Sequence, residues 1–468
     1  MLNSLVSLLA FVVTLGLLIT VHEFGHFWVA RRLGVKVLRF SIGFGRPLWQ
    51  WRGRDGVEYV IAVLPLGGYV KMLDEREGEV QPADLPLAFN RKPISSRIAI
   101  VMAGPLCNFL FAILAYTLMF VIGVPGIKPL LDEPKPGSLA AAGGFQKGDL
   151  VVAIDGKPAP TLSAAMLALV DRALAEGVIR VEVVPECDGG GCGIEEPGGS
   201  RARVRTRTLD IRAAPELAGA AQVFDSVGLV PWRLALPAVI GQVTPGGAAE
   251  RAGLQAGDRI LLADGEPVAD WQQWRGVIER HPDRPFRVGI ERQGTEQALE
   301  ITPDAKENDR GKRVGFIGAV AEVPEDLAQG LRVVVRYGPL EAVGAAVGKT
   351  WDMSLLTLRM LGRMLVGKAS LDNISGPLTI AQFAGQAANA GVMAFLSMLA
   401  LVSLSLGVLN LLPVPVLDGG HLLYYLIELV KGSPLSEAVQ NLGQQVGIAV
   451  LLLLMGLALF NDFSRLLG

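Results

Sequence analysis

Residues 5–26 read Leu5-Val-Ser-Leu-Leu-Ala-Phe-Val-Val-Thr-Leu-Gly-Leu-Leu-Ile-Thr-Val21-His22-Glu23-Phe24-Gly25-His26. The first 21 residues of the chain carry no charge, and the apolar run is long enough to cross most of a bilayer. Histidines four residues apart share one face of a helix and can share a metal, and a glutamate between them is placed to act on a water held there. Ionisable groups within a membrane cost about 2.5–3.5 kcal/mol each on insertion scales, so three within a turn and a half call for a function. His22, Glu23 and His26 therefore point to a hydrolytic zinc site inside a membrane helix.

The rest of the chain fits a membrane protein. Of 468 residues, 51% are hydrophobic and 19% charged, and the mean hydropathy is +0.41. The formal net charge of −2 gives no reason to expect a nucleic-acid partner. Further uncharged runs lie at Ile98–Ile127, Asn373–Leu417 and Ala438–Asn461, with a polar middle between the first two of these. Four membrane spans follow, at 4–27, 98–122, 391–413 and 443–461. A cleavable signal peptide is the competing reading of the first, but Met1-Leu2-Asn3-Ser4 is not basic and the positive charges come after the apolar run.

Those charges set the orientation. Arg31, Arg32, Lys36, Arg39, Arg46, Arg52 and Arg54 follow the first span, and Arg91, Lys92 and Arg97 precede the second. The positive-inside rule puts this loop in the cytoplasm. The N-terminus and the polar middle then lie outside. The first and third spans run the same way, so their C-terminal ends meet one membrane face. The third closes with Asn410-Leu-Leu-Pro413-Val-Pro415-Val-Leu417-Asp418-Gly419-Gly420-His421, which brings Asp418 to the depth of His22 and His26. Two histidines and a carboxylate with one open position make a catalytic zinc set, although other divalent metals accept the same donors.

These residues, together with Leu66-Gly-Gly-Tyr69-Val-Lys71-Met72, Ala103-Gly104-Pro105 and Asn108-Phe109, resemble the site-2 protease family of intramembrane zinc metalloproteases over essentially the whole chain. The resemblance implies that His22, His26 and Asp418 hold Zn2+ and that Glu23 is the general base. It implies that Asn410 and the proline-broken turn help to hold the substrate strand. Read by itself, Asn410 fits either a donor to a developing oxyanion or a helix–helix hydrogen bond. His421 reads as a group behind the ligands or at the interface rather than as a ligand. The implied activity is cleavage of transmembrane segments in pre-trimmed single-span proteins of the anti-sigma-factor type, and of remnant signal peptides. The implied setting is a bacterial inner membrane, with the site near its cytoplasmic side.

A transmembrane substrate must unwind before it is cut, and an edge strand would hold it extended. Val37–Ile42 and Val57–Leu64, joined around Gly53–Gly56, read as a β-hairpin bearing Trp49, Trp51 and Tyr59. The resemblance makes it re-entrant in the membrane, whereas the residues alone fit a cytoplasmic hairpin equally well.

The polar middle repeats itself. Pro136-Gly137-Ser138 through Gly148-Asp149 to Asp155-Gly156 aligns without gaps with Pro245-Gly246-Gly247 through Gly257-Asp258 to Asp264-Gly265, an offset of 109 residues. Each copy resembles the PDZ domains of bacterial envelope proteases, acting either as a peptide binder or as a steric filter. Cys187 and Cys192 flank Asp-Gly-Gly-Gly, a candidate disulfide in an oxidising compartment. Residues 326–370 read as an amphipathic helix, lying on the lipid surface or packed against the PDZ pair.

The expected fold is a polytopic α-helical membrane protein with two inserted α+β PDZ domains. It divides into 1–124, 125–215, 216–325, 326–390 and 391–468. The rival function is a membrane-anchored PDZ scaffold or chaperone with a structural metal, for which Glu23 would be dispensable.

Overall fold

The computed structural model describes residues 2–173, 177–185, 204–213, 223–232, 236–307, 313–323, 330–367 and 376–467. Cys187 and Cys192 lie outside them. The chain forms two units: Met1–Val124 with Val335–Leu467, and Pro125–Val334.

In the first unit, four helices are long and apolar enough to cross a membrane: Leu5–Arg32, Ile94–Ile122, Val392–Asn410 and Glu437–Ser464. They match the expected four. The third ends at Asn410, three residues before the expected limit, because Pro413 and Pro415 supply no amide hydrogen and force their predecessors out of the helical region. Where the first two spans cross there is no room for a side chain on Gly104, whose Cβ would stand 2.2 Å from His26 Nε2. Small residues at such a crossing let helix backbones approach within the membrane. The second and third spans are tied by Ser403 Oγ, which donates to the Asn108 carbonyl at 2.9 Å, with both residues fully buried.

Between the first two spans lie two long strands, Val37–Arg52 and Glu58–Met72. Each folds back on itself. Arg39–Ile42 pairs with Glu58–Ile61 on one side and with Gly68–Lys71 on the other, while Trp49–Arg52 covers the far edge of Glu58–Ile61. The result is a four-rung sheet in the order 49–52, 58–61, 39–42, 68–71. Gly43 and Gly45, at φ 92° and 89°, make the bend in the first strand. The hairpin expected at 37–42 and 57–64 is thus the inner part of a larger sheet. The segment Gly68–Met72, read only as a motif, is its outer rung.

Pro339–Leu365 is a single helix. It buries Ala342, Ala346 and Thr350 and exposes Leu340, Val347, Trp351 and Leu365. Lys349 Nζ sits 4.7 Å over the Tyr116 ring, and burial lowers its pKa.

The second unit contains two four-stranded sheets of the same order. One is Lys157–Pro158, Leu150–Ile154, Val178–Val184, Arg205–Asp210; the other is Glu266–Pro267, Arg259–Ala263, Phe286–Arg292, Thr295–Ile301. The 109-residue offset is therefore structural for the first two strands of each. Both Asp-Gly turns place the aspartate at positive φ, 47° at Asp155 and 53° at Asp264, as a tight hairpin turn of this sequence requires. Leu169, Val181 and Leu209 centre one core, and Trp274, Ile260 and Ile290 the other. The first core also takes in Val223, Phe224, Val227 and Leu229, so these residues pack with the first sheet.

Candidate metal centre

The first span presents His22 and His26 side by side because they are one helical turn apart, and the helix that opens at Asp418 meets them. His22 Nε2 and His26 Nε2 are 3.2 Å apart, and Asp418 Oδ2 lies 3.2 Å from the first and 3.4 Å from the second. A tetrahedral zinc with bonds of about 2.0–2.1 Å spaces its ligand atoms by about 3.3 Å. The three atoms therefore already form one face of such a tetrahedron. Asp418 Oδ2 is buried and makes no hydrogen bond of good geometry, the position expected of an oxygen that faces a cation. Burial pushes the Asp418 carboxyl up, but the adjacent imidazoles of His22 and His26 reverse this and hold it below the usual carboxylate range. The ionised carboxylate is the form a metal ligand must take. The residues fit a zinc ion with one open position.

The remaining ring nitrogens are also engaged. His26 Nδ1 lies 2.8 Å from the Ile100 carbonyl, and His22 Nδ1 lies 3.2 Å from the Asn108 amide. Asn108 appeared in the sequence only within a motif, with nothing to link it to His22, 86 residues away.

Glu23 is buried and lies outside the group of donors that converge. It lines the same cavity of about 660 Å³ as Tyr69, Lys71, Asn410, Asp418 and His421. Above it runs the outer rung of the sheet. A Cβ on Gly68 would stand 2.9 Å from Glu23 Cγ and 2.8 Å from Ile19 Cγ2, so only a glycine lets the strand lie on the helix here. The outer edge of Gly68–Lys71 pairs with no strand among the described residues. It offers backbone donors and acceptors beside Glu23. The edge strand foreseen at 37–42 and 57–64 is therefore supplied by a different segment.

Asp418 is held by a strained and crowded turn. Val416 adopts φ 104°, an outlier for a β-branched residue, of the kind that persists where surrounding packing enforces it. A Cβ on Gly419 would meet the Leu412 carbonyl at 2.2 Å, and one on Gly447 of the fourth span would meet the Pro415 carbonyl at 1.8 Å. Farther along the Asp418–Lys431 helix, Glu428 accepts two hydrogen bonds from Arg97 of the second span, at 2.6 and 3.1 Å. The Arg97 guanidinium also lies 4.9 Å over the Tyr425 ring. His421 stands outside the donor group.

The sequence has relatives along its whole length. The model of Peptidase family M50 matches residues 10–454. The Regulator of sigma E protease of Salmonella typhi is 46% identical over 466 residues, covering 100% of both chains. The Regulator of sigma-E protease RseP of Escherichia coli (strain K12) is likewise 46% identical with full coverage of both. A Vibrio cholerae relative, named as a zinc metalloprotease, is 42% identical over 467 residues with the same coverage. A metalloprotease helix motif on a membrane span, a donor set spaced for zinc and a family match across nearly the whole length lead to one conclusion: the chain belongs to peptidase family M50.

Proposed function

We propose that this zinc metalloprotease cuts transmembrane segments, with His22, His26 and Asp418 as its metal ligands and Glu23 as its general base. The observation that carries this reading is the position of Glu23, buried among membrane helices, beside the ligand triangle and under an unpaired strand edge. Zinc, when bound, lowers the pKa of water toward about 7 and polarises the scissile carbonyl. Glu23 takes the proton of the attacking water and passes it to the leaving amine. The edge Gly68–Lys71 pairs with an unwound substrate and fixes its carbonyl, since main-chain pairing holds any sequence extended. Asn410, on the cavity wall, donates to the developing oxyanion.

The substrates are single-span proteins whose outer part has already been trimmed, of the anti-sigma-factor type, and remnant signal peptides. The basic loops after the first span support an orientation with the site near the cytoplasmic face of a bacterial inner membrane and Pro125–Val334 outside. There the two repeated sheets act as PDZ modules that filter or bind substrate ends. Cleavage of a single-span reporter in proteoliposomes tests this. A trimmed reporter is expected to be cut within its span, and an intact one to be cut far more slowly. Equal cleavage of both would remove the filtering role, and cleavage only outside the span would remove the intramembrane role.

A further inference from the structure

His22 turns Nε2 toward the other two donors, so whenever it holds a metal its proton must reside on Nδ1. Asn108 faces that nitrogen from the second span. It is fully buried, its Nδ2 stands 3.2 Å from His22 Nδ1, and its Oδ1 is buried with no hydrogen-bond partner. With a metal on Nε2, that orientation would set two N–H groups against each other and leave an acceptor idle beside them. A half-turn of the amide about Cβ–Cγ removes the conflict, because amide oxygen and nitrogen are interchangeable in shape. Oδ1 then accepts the Nδ1 hydrogen.

We infer that Asn108 is the positioning residue of His22, presenting Oδ1 to Nδ1–H and so fixing both the ring and the tautomer that binds metal. The inference rests on the ligand role proposed for His22. The second ligand supplies the parallel: the Ile100 carbonyl, 2.8 Å from His26 Nδ1, does for that ring what Asn108 does for its neighbour. Both supports belong to the second span, two helical turns apart. Between them Gly104 leaves space for the rings, since a Cβ there would stand 2.2 Å from His26 Nε2 and 2.8 Å from His22 Cε1. Asn108 is braced in turn from the third span by Ser403, whose hydroxyl donates to its carbonyl at 2.9 Å. Groups behind metal-bound histidines orient the ring and raise its basicity, and their loss costs about 10–100-fold in metal affinity or activity.

The test is zinc affinity, measured by competition with a chromophoric chelator on the purified full-length protein in detergent. Wild type, Asn108→Leu, Asn108→Asp and His22→Ala are compared, with helix content and melting followed in parallel. Leucine keeps the volume but has no acceptor, and is expected to weaken zinc binding about 10–100-fold. Aspartate keeps an acceptor and is expected to bind within a few-fold of wild type. Wild-type affinity in Asn108→Leu, or equal weakening in both Asn108 variants, would overturn the inference and leave Asn108 as packing. A wild type that binds no zinc, or a His22→Ala variant that binds it as well as wild type, would overturn the ligand reading itself and the inference with it.

Discussion

Gly68 lies against Glu23 with no room for a side chain between them: a Cβ on Gly68 would stand 2.9 Å from Glu23 Cγ. This contact joins the strand that offers its edge to the residue proposed as base. Gly68→Val has no room, since the Ser41 carbonyl also lies 2.8 Å from the added carbon. The outer rung must shift away from Glu23. Misplacement by about 1 Å can cost about 100-fold in rate, so cleavage should fall by that order while zinc content stays at the wild-type level. Steady-state cleavage and metal analysis of the same preparation check this, and loss of zinc alongside activity would contradict it.

The Arg97–Glu428 pair anchors the helix that carries Asp418. Both side chains are 12% exposed, so breaking the pair leaves a buried charge unpaired. Arg97→Ala should destabilise the membrane unit by about 3–5 kcal/mol. An apolar double replacement, Arg97→Met with Glu428→Met, should recover most of the loss. Chemical denaturation in detergent micelles distinguishes the two, and a double variant as unstable as the single one would refute the pairing argument.

Gly447 packs the fourth span against the turn before Asp418. A methyl group there would overlap the Pro415 carbonyl, 1.8 Å from the added carbon. Gly447→Ala should therefore cost about 1–3 kcal/mol through overpacking and lower cleavage by displacing Asp418. Gly456, farther along the same span with nothing within 4 Å of an added Cβ, should accept alanine without effect. Thermal melting and cleavage of the two variants settle the comparison.

Zinc affinity should depend on pH with a definite sign. Burial raises the Asp418 pKa and the neighbouring imidazoles more than offset this, leaving it below the ordinary carboxylate value. Its stabilising ionised form therefore persists as pH falls through the usual carboxylate range. Metal binding displaces protons from its ligands, so zinc binding should weaken as the pH falls. Chelator competition between pH 5 and 8 reads this directly. Affinity that stays constant or rises as the pH falls would contradict it.

Much of this was legible in the chain. The apolar runs have only one solution in lipid, a helix, and four-residue spacing brings His22 and His26 together without tertiary information. Asp418 was legible because two parallel spans carry their C-terminal ends to one face. The outer rung was not, since Leu66-Gly-Gly-Tyr69 has neither alternation nor a turn signal, and its pairing with Arg39–Ile42 requires the second strand to fold back between Ile61 and Gly68. Asn108 and Arg97 escaped for another reason. Their partners are 86 and 331 residues away, and an amide or a guanidinium on an apolar helix looks the same whether it serves a ligand or merely packs.

The most direct test compares wild type with Glu23→Gln for cleavage of a trimmed single-span reporter in membranes, with and without a zinc chelator. Glutamine keeps the volume and loses the base, so cleavage should drop by at least about 100-fold while zinc remains bound, and the chelator should abolish the wild-type reaction. Cleavage by Glu23→Gln at the wild-type rate, or wild-type cleavage untouched by zinc removal, would contradict the account.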